Sequence, residues 1–117
     1  MRIYHLALAT EWAAAVDRGS YTVSTLGLEV AEVGFIHCAQ LAQLDGVHAR
    51  FYTEVAEPLL LLTIDTDRLT SPWQLDEVAG EPLPFPHIYG PLDVDAVVSA
   101  EPFVRTAGTM WKDRPHD

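Results

Sequence analysis

The run from Leu59 to Leu62, opened by Pro58 and continued by Thr63-Ile64-Asp65, limits what this chain can fold into more than any other stretch. Consecutive leucines put apolar side chains on both faces of an extended segment. Only a strand covered on both sides buries them all. The run is of strand length and far short of the about 20 apolar residues that a membrane helix needs. The remainder of the chain has to supply a sheet around this strand and a layer on each of its faces.

Pattern reading supplies both. Arg2 to Leu8 is apolar and aromatic and is expected to form a first strand, with Ile3, His5 and Ala7 on one face. A helix is expected next, with Thr10 as its N-cap, Glu11 at its positive end, Trp12, Ala15 and Val16 on one face, and Gly19 as its stop. Tyr21 to Ser24 and Phe35 to Cys38 read as short strands. From Ala39 onward Leu41, Leu44, Val47 and Phe51 follow helical spacing. After the central strand, Asp65 to Leu69 reads as a turn and Trp73 to Glu77 alternates as a strand. Gly80 to Pro86, with its three prolines, reads as an extended loop without a ladder of its own. His87 to Gly90 is expected to be a brief strand and Ala96 to Val104 the last one. Two helices in the N-terminal half, several short strands and no βαβ alternation indicate the α+β class. One domain over residues 1–104 is expected, with a polar tail over residues 105–117.

Composition narrows the function. With 117 residues, 49% hydrophobic and 21% charged, the chain has globular composition. Its net charge of −10, from 17 acidic against 7 basic residues, leaves no Lys/Arg footprint for neutralising phosphates. Long nucleic acids and anionic membrane surfaces are therefore not expected partners. A small ligand carrying one or two phosphates remains compatible, since backbone amides and one Arg hold those. The opening MRIYHLALATEW is read as neither a signal peptide nor a membrane span. Cys38 is the only cysteine, which rules out a disulfide within the chain and suits a reducing compartment such as the cytoplasm. Nothing in the sequence sets the oligomeric state.

Polar side chains interrupt the apolar pattern at four places. His5 shares a strand face with Ile3 and Ala7, and His37 shares one with Phe35. Glu77 has the phase of Trp73 and Leu75, and His87 and Tyr89 lie on one side of Phe-Pro-His-Ile-Tyr-Gly. Each buried polar group needs a partner, and one shared pocket would satisfy several together. Three chemistries could use such a pocket. A zinc site drawing on His5, His37, Cys38 and His87 lacks any close ligand pair, and His37 and Cys38 face opposite ways on a strand, so no metal is expected. Paired histidines for phosphodiester chemistry would want Ser or Thr two residues after each His, where this chain has Ala39 and Tyr89. Glycosidic cleavage of a nicotinamide dinucleotide needs a carboxylate near the sugar, a polar group on a ribose hydroxyl and aromatic faces for the nicotinamide. Glu77, His5 or His37, and Tyr21, Phe35 or Tyr89 are of the right types.

Four blocks carry a family likeness: Ile3-Tyr4-His5-Leu6, Gly34-Phe35-Ile36-His37-Cys38, Leu59 to Asp65, and Phe85-Pro86-His87-Ile88-Tyr89-Gly90-Pro91-Leu92. In order and spacing they resemble the bacterial domain-of-unknown-function family 952, over nearly the whole chain to about Val104. The resemblance implies an ADP-ribosyltransferase-like fold, a split, mixed β-core whose cleft holds NAD in the enzymes. It implies Glu77 as the candidate catalytic carboxylate and His5 and Tyr21 as NAD-binding positions. His37 and His87 match no standard transferase role and are candidate catalytic residues as pattern-breaking polar groups, while Ser24, Phe35 and Tyr89 complete the candidate NAD-binding set. His5 would touch the adenosine-side ribose and Tyr21 would lie near the nicotinamide. The family itself brings no established activity. The resulting expectation is a small-ligand protein with such a cleft, which binds NAD or a related nucleotide and cleaves its glycosidic bond. The alternatives are a non-catalytic binding or regulatory domain on the same fold, and a divalent-metal-binding protein. Fold likeness alone does not decide among them.

Overall fold

In the computed structural model, which describes residues 1–103, the leucine run is strand β6 (Leu59–Asp65) and sits at the centre of a three-stranded sheet. Strand β1 (Arg2–Leu8) pairs with one of its edges, from Arg2 opposite Asp65 to Leu8 opposite Leu59. Strand β10 (Val97–Pro102) pairs with the other, with a shift of register between Val97 and Ser99. Both faces of β6 are covered, as the leucine run demands. Leu62 and Ile64 join Ile3, Ala7, Ala15, Tyr21, Ile36 and Ile88 in one apolar cluster. Leu59 and Leu61 join Leu6, Leu44, Tyr52 and Phe103 in another on the opposite face. Each such side chain contributes about 1.5–3 kcal/mol when fully buried.

The two faces are closed by helices. Helix α1 (Ala9–Arg18) buries Ala15 and rests Trp12 against the first cluster. Gly19 ends it in the left-handed conformation at φ 87°, its N–H donating to the Ala15 carbonyl. The N-terminal details differ from the sequence reading. Leu8 is the N-cap residue, and Thr10 lies inside the helix, where its N–H (3.0 Å) and its hydroxyl both donate to Glu57. Val16 is half exposed and lies outside the packed face. On the other side of the sheet, a 3-10 turn (Leu41–Gln43) leads into helix α3 (Leu44–Phe51), whose Leu44 is fully buried in the second cluster. A four-residue helix, α2 (Val30–Val33), lies between them in the chain.

Strands β2 (Ser20–Tyr21) and β9 (Leu92–Asp93) pair, as do β3 (Val23–Thr25) and β4 (Leu28–Glu29). A second three-stranded sheet has β8 (Phe85–Ile88) between β5 (Ile36–His37) and β7 (Trp73–Asp76). Pro86 thus lies inside a central strand and not in a loop. Its carbonyl accepts from Cys38 N–H at 3.0 Å, just past the last residue of β5, so its missing donor removes only the terminal rung of that ladder.

The two sheets meet at a single isolated bridge, where Tyr4 N–H donates to the Ala39 carbonyl (2.9 Å) and Ala39 N–H donates back (2.7 Å). Beyond it the strands diverge, giving a split β-structure. Every strand pairing among the described residues is antiparallel. The mixed core implied by the resemblance is therefore corrected to an antiparallel one, in an α+β domain. The expected tail, residues 105–117, lies outside the described residues. Among the described residues, no helix is long and apolar enough to cross a membrane.

Candidate functional site

Register builds the site. On β5, β8 and β7, His37 lies opposite His87, and His87 opposite Gln74; Phe85 lies opposite Asp76. Directly opposed residues share a face, as do residues two apart along a strand. One face of this sheet therefore carries Phe35, His37, Gln74, Asp76, Phe85, His87 and Tyr89. The reverse face carries Ile36, Cys38 and Ile88, all within the first apolar cluster.

His87 is the most constrained of these side chains. Its Nδ1 lies 2.7 Å from Asp76 Oδ2, and its ring stacks on Phe35 with centroids 4.0 Å apart. A carboxylate oxygen only accepts, so Nδ1 carries the proton. The Tyr89 hydroxyl donates to the same Oδ2, and the Gln74 amide donates to Oδ1 at 2.5 Å. The Tyr89 hydroxyl foremost, with His87 and Gln74, holds the Asp76 carboxyl below the usual carboxylate range, and sharing its proton with Asp76 pushes the Tyr89 phenol up. Nε2 of His87 is buried and has no hydrogen-bond partner among the described residues.

His37 borders a cavity of about 510 Å³ between α3 and the segment 78–85. Its ring stacks on Phe85 at 5.2 Å and meets Phe51 edge-on at 6.3 Å; the His87 ring is 5.3 Å away. Burial, then the neighbouring His87 and Arg50, bring its pKa down to about 4, so at neutral pH the ring is uncharged. Neither ring nitrogen is engaged by another described residue. The remaining walls are Ala42, Gln43, Gly46, Val47, Val78, Pro82 and Leu83, with Arg50 and Glu81 paired at 3.1 Å. This is a mostly apolar space with few polar groups, within the size range of small-molecule pockets.

His5, Tyr21 and Ser24 have a different setting. His5 sits where the two sheets part, with Nδ1 2.7 Å from the His37 carbonyl and Nε2 2.9 Å from the Tyr21 hydroxyl. The carbonyl can only accept, so His5 donates from Nδ1 and accepts from the tyrosine at Nε2. Burial lowers its pKa to about 4, and Tyr21 is pushed above its ordinary value, first of all by burial. Ser24 is buried and its Oγ accepts from His37 N–H at 3.3 Å. His5 and Ser24 meet the backbone of His37 and Tyr21 meets His5, and none of the three borders the cavity.

The structure thus brings His37, His87, Phe35 and Tyr89 onto one face and leaves Glu77 off it. Strand β7 ends at Asp76, so Glu77 is exposed instead of continuing the inward phase of Trp73 and Leu75. The face turned to His87 is that of Gln74 and Asp76. Arg50, Asp76 and Glu81 were not singled out by sequence reasoning, and Phe51 entered it only as an apolar helix position. The available signal for Asp76 was the alternation of polar Gln74 and Asp76 within the expected strand. Cys38 is buried against the core, and burial raises its thiol pKa, which makes it a poor nucleophile. Among the described residues, no three of His, Cys, Asp and Glu gather as a metal site would require.

Residues 6–100 match the model of a family described as a protein of unknown function, DUF952. The chain is similar to protein CC0527 from Caulobacter crescentus in its crystal structure, at 27% identity over 92% of this chain and 90% of that one, with a TM-score of 0.77. The crystal structure of a double mutant of the same protein matches at 26% identity over the same shares, TM-score 0.77. Its solution NMR structure matches at 26% identity over 91% and 87%, TM-score 0.66. No curated protein matches.

Proposed function

Since the chain belongs to the DUF952 family, whose description names no activity, we propose from the cavity itself that this protein binds a small, flat heteroaromatic ligand carrying at most one acidic group. The observation that carries the reading is His37, an uncharged imidazole with both ring nitrogens unspent, on the wall of a cavity of about 510 Å³. It offers one donor and one acceptor beside the ring faces of Phe51 and Phe85. Arg50 is the cation for an acidic group, and Glu81 is the partner that such a group would displace. The net charge of −10 works against more highly charged anions.

A nucleotide base or a nicotinamide ring meets this description, which supports keeping nucleotides as the ligand class. Intact NAD is a poorer match, because its pyrophosphate would have Arg50 as the single cation among the lining residues. For glycosidic cleavage, Glu81 on the cavity wall is a better-placed carboxylate than the exposed Glu77.

An amide-resolved NMR titration with AMP, nicotinamide mononucleotide and NAD tests the binding. Saturable shifts at Gly46, Phe51 and Leu83, stronger for the mononucleotides and weakened in His37→Phe, are expected. Shifts confined to other surfaces, or none at millimolar ligand, refute the reading. Nicotinamide released from NAD by the wild type and not by Glu81→Gln would add catalysis to it.

A further inference from the structure

The Asp76–His87 couple adjoins the cavity but is not needed to form it, and it holds the one orphaned buried side-chain atom among the described residues. His87 is only 5% exposed. A buried polar atom without a partner is unfavourable by about 1–3 kcal/mol, so a fold that fixes one in place invites the question of what it meets. The fixing is elaborate. Asp76 takes the proton-bearing Nδ1 at 2.7 Å, Gln74 and Tyr89 secure the carboxylate, and Phe35 stacks on the ring at 4.0 Å. With Nδ1 committed to Asp76 at 2.7 Å, the uncharged form of the ring carries its lone pair at Nε2. His37 stands between the His87 ring and the cavity, since its own ring borders the cavity and lies 5.3 Å, centroid to centroid, from that of His87.

We propose that Nε2 of His87, kept as an acceptor by Asp76, receives a ring N–H of the ligand, so that the site selects heterocycles that carry an N–H donor over those in which that position is blocked. This rests on the binding reading above and names its substrate class. Asp76 acts here as a positioning residue. It touches no ligand and sets which nitrogen of His87 holds the proton. Discrimination of this kind is strong when the alternative leaves a buried group unpaired. Phe35 and His37 flank the His87 ring, and one of them has to turn aside for the ligand to arrive.

Theophylline and caffeine, which differ by one N–H against one N-methyl on the same flat bicyclic ring, are suitable probes. Wild-type protein is expected to bind theophylline about tenfold more tightly or better, a difference of roughly 1.4 kcal/mol. In Asp76→Asn the side-chain amide can donate to Nδ1, which moves the His87 proton to Nε2 and turns the acceptor into a donor. The preference for theophylline should then vanish or invert. A merely structural Asp76 would weaken both ligands alike. In case that variant does not fold, ¹⁵N spectra of the wild-type His87 ring give a second reading. Nε2 should resonate as an unprotonated nitrogen in the free protein and move towards the protonated range when theophylline binds. Equal affinity for the two purines, or an Nε2 already protonated in the free protein, overturns the inference and leaves the binding reading standing. Failure of both purines and of the mononucleotides to reach the cavity removes both.

Discussion

Acid should destabilise this protein through His5, and a single substitution should remove that share. Burial holds His5 down at about 4 against an ordinary value of 6.5, despite the hydrogen bond to the His37 carbonyl. The unfolded chain therefore takes up the proton first. Stability is unaffected above about 6.5 and is lost as pH falls towards about 4. At about pH 5 the preference of the unfolded state amounts to roughly 2 kcal/mol, from about 1.36 kcal/mol per unit over some one and a half units. His37, lowered to about 4 by burial first, adds a similar amount. The wild type should then lose roughly 4 kcal/mol between about pH 7.5 and pH 5, a large part of a stability near 5–15 kcal/mol. In His5→Gln the amide nitrogen can donate to the His37 carbonyl and the amide oxygen can accept from Tyr21, so the contacts persist without a titrating group. Urea unfolding followed by tryptophan fluorescence at the two pH values reads the difference. With a slope of about 2 kcal/mol per molar, the midpoint should fall by roughly 2 M in the wild type and roughly 1 M in the variant. Glu11, whose carboxyl is raised by burial and nearby acids, is common to both proteins and drops out of the comparison. If the variant shows the full wild-type acid sensitivity, His5 is not the buried neutral link described above.

Cys38 should not react with a thiol reagent in the folded protein and should react fully once urea unfolds it, because burial raises the thiol pKa and encloses the sulfur; rapid native labelling would contradict its placement. Gly90 sits at φ 152°, and a Cβ there would come 2.6 Å from Ser71 Oγ, which itself donates to the Pro91 carbonyl. Gly90→Ala should therefore lower stability by about 2 kcal/mol, near 10 °C in Tm for a domain of this size, and Ser71→Gly should restore part of it. A Tm unchanged in Gly90→Ala would refute the close approach. Arg50→Ala breaks an ion pair whose arginine is 63% exposed and a guanidinium contact with the Phe51 ring at 6.0 Å, so thermal melting should shift by only about 1 kcal/mol equivalent, while mononucleotide affinity falls about tenfold or more.

The legible parts of the fold were those decided locally. A leucine run that must be covered twice, an alternating first strand and a glycine stopping a helix each act within a few residues, and β6, β1 and α1 follow. Readings failed where partners far along the chain decide. Pro86 argued for a loop, yet its lost rung falls where β5 has already ended, so a central strand tolerates it. Counting from Trp73 put Glu77 on the inward face, whereas the strand stops one residue earlier and pairing with β8 turns Asp76 towards His87. Among the pattern-breaking histidines, His37 and His87 share a face and His5 is satisfied privately behind it. No spacing in the sequence separates these cases, because the difference lies in which strands meet. The cavity was hidden for the same reason, its walls coming from α3 and a proline-rich segment some thirty residues further on.

The junction of the two sheets has a mechanical consequence. Elsewhere the strands are laced by successive rungs, but here one reciprocal pair, Tyr4 with Ala39, is followed at once by an imidazole standing in for backbone. His37 turns its side chain to the cavity and its carbonyl to that imidazole. On the binding proposed above, a guest that drew the His37 ring towards itself would pull on His5, and through it on the Tyr21 hydroxyl. Occupancy of the hollow would in this way be relayed to a buried tyrosine outside its walls.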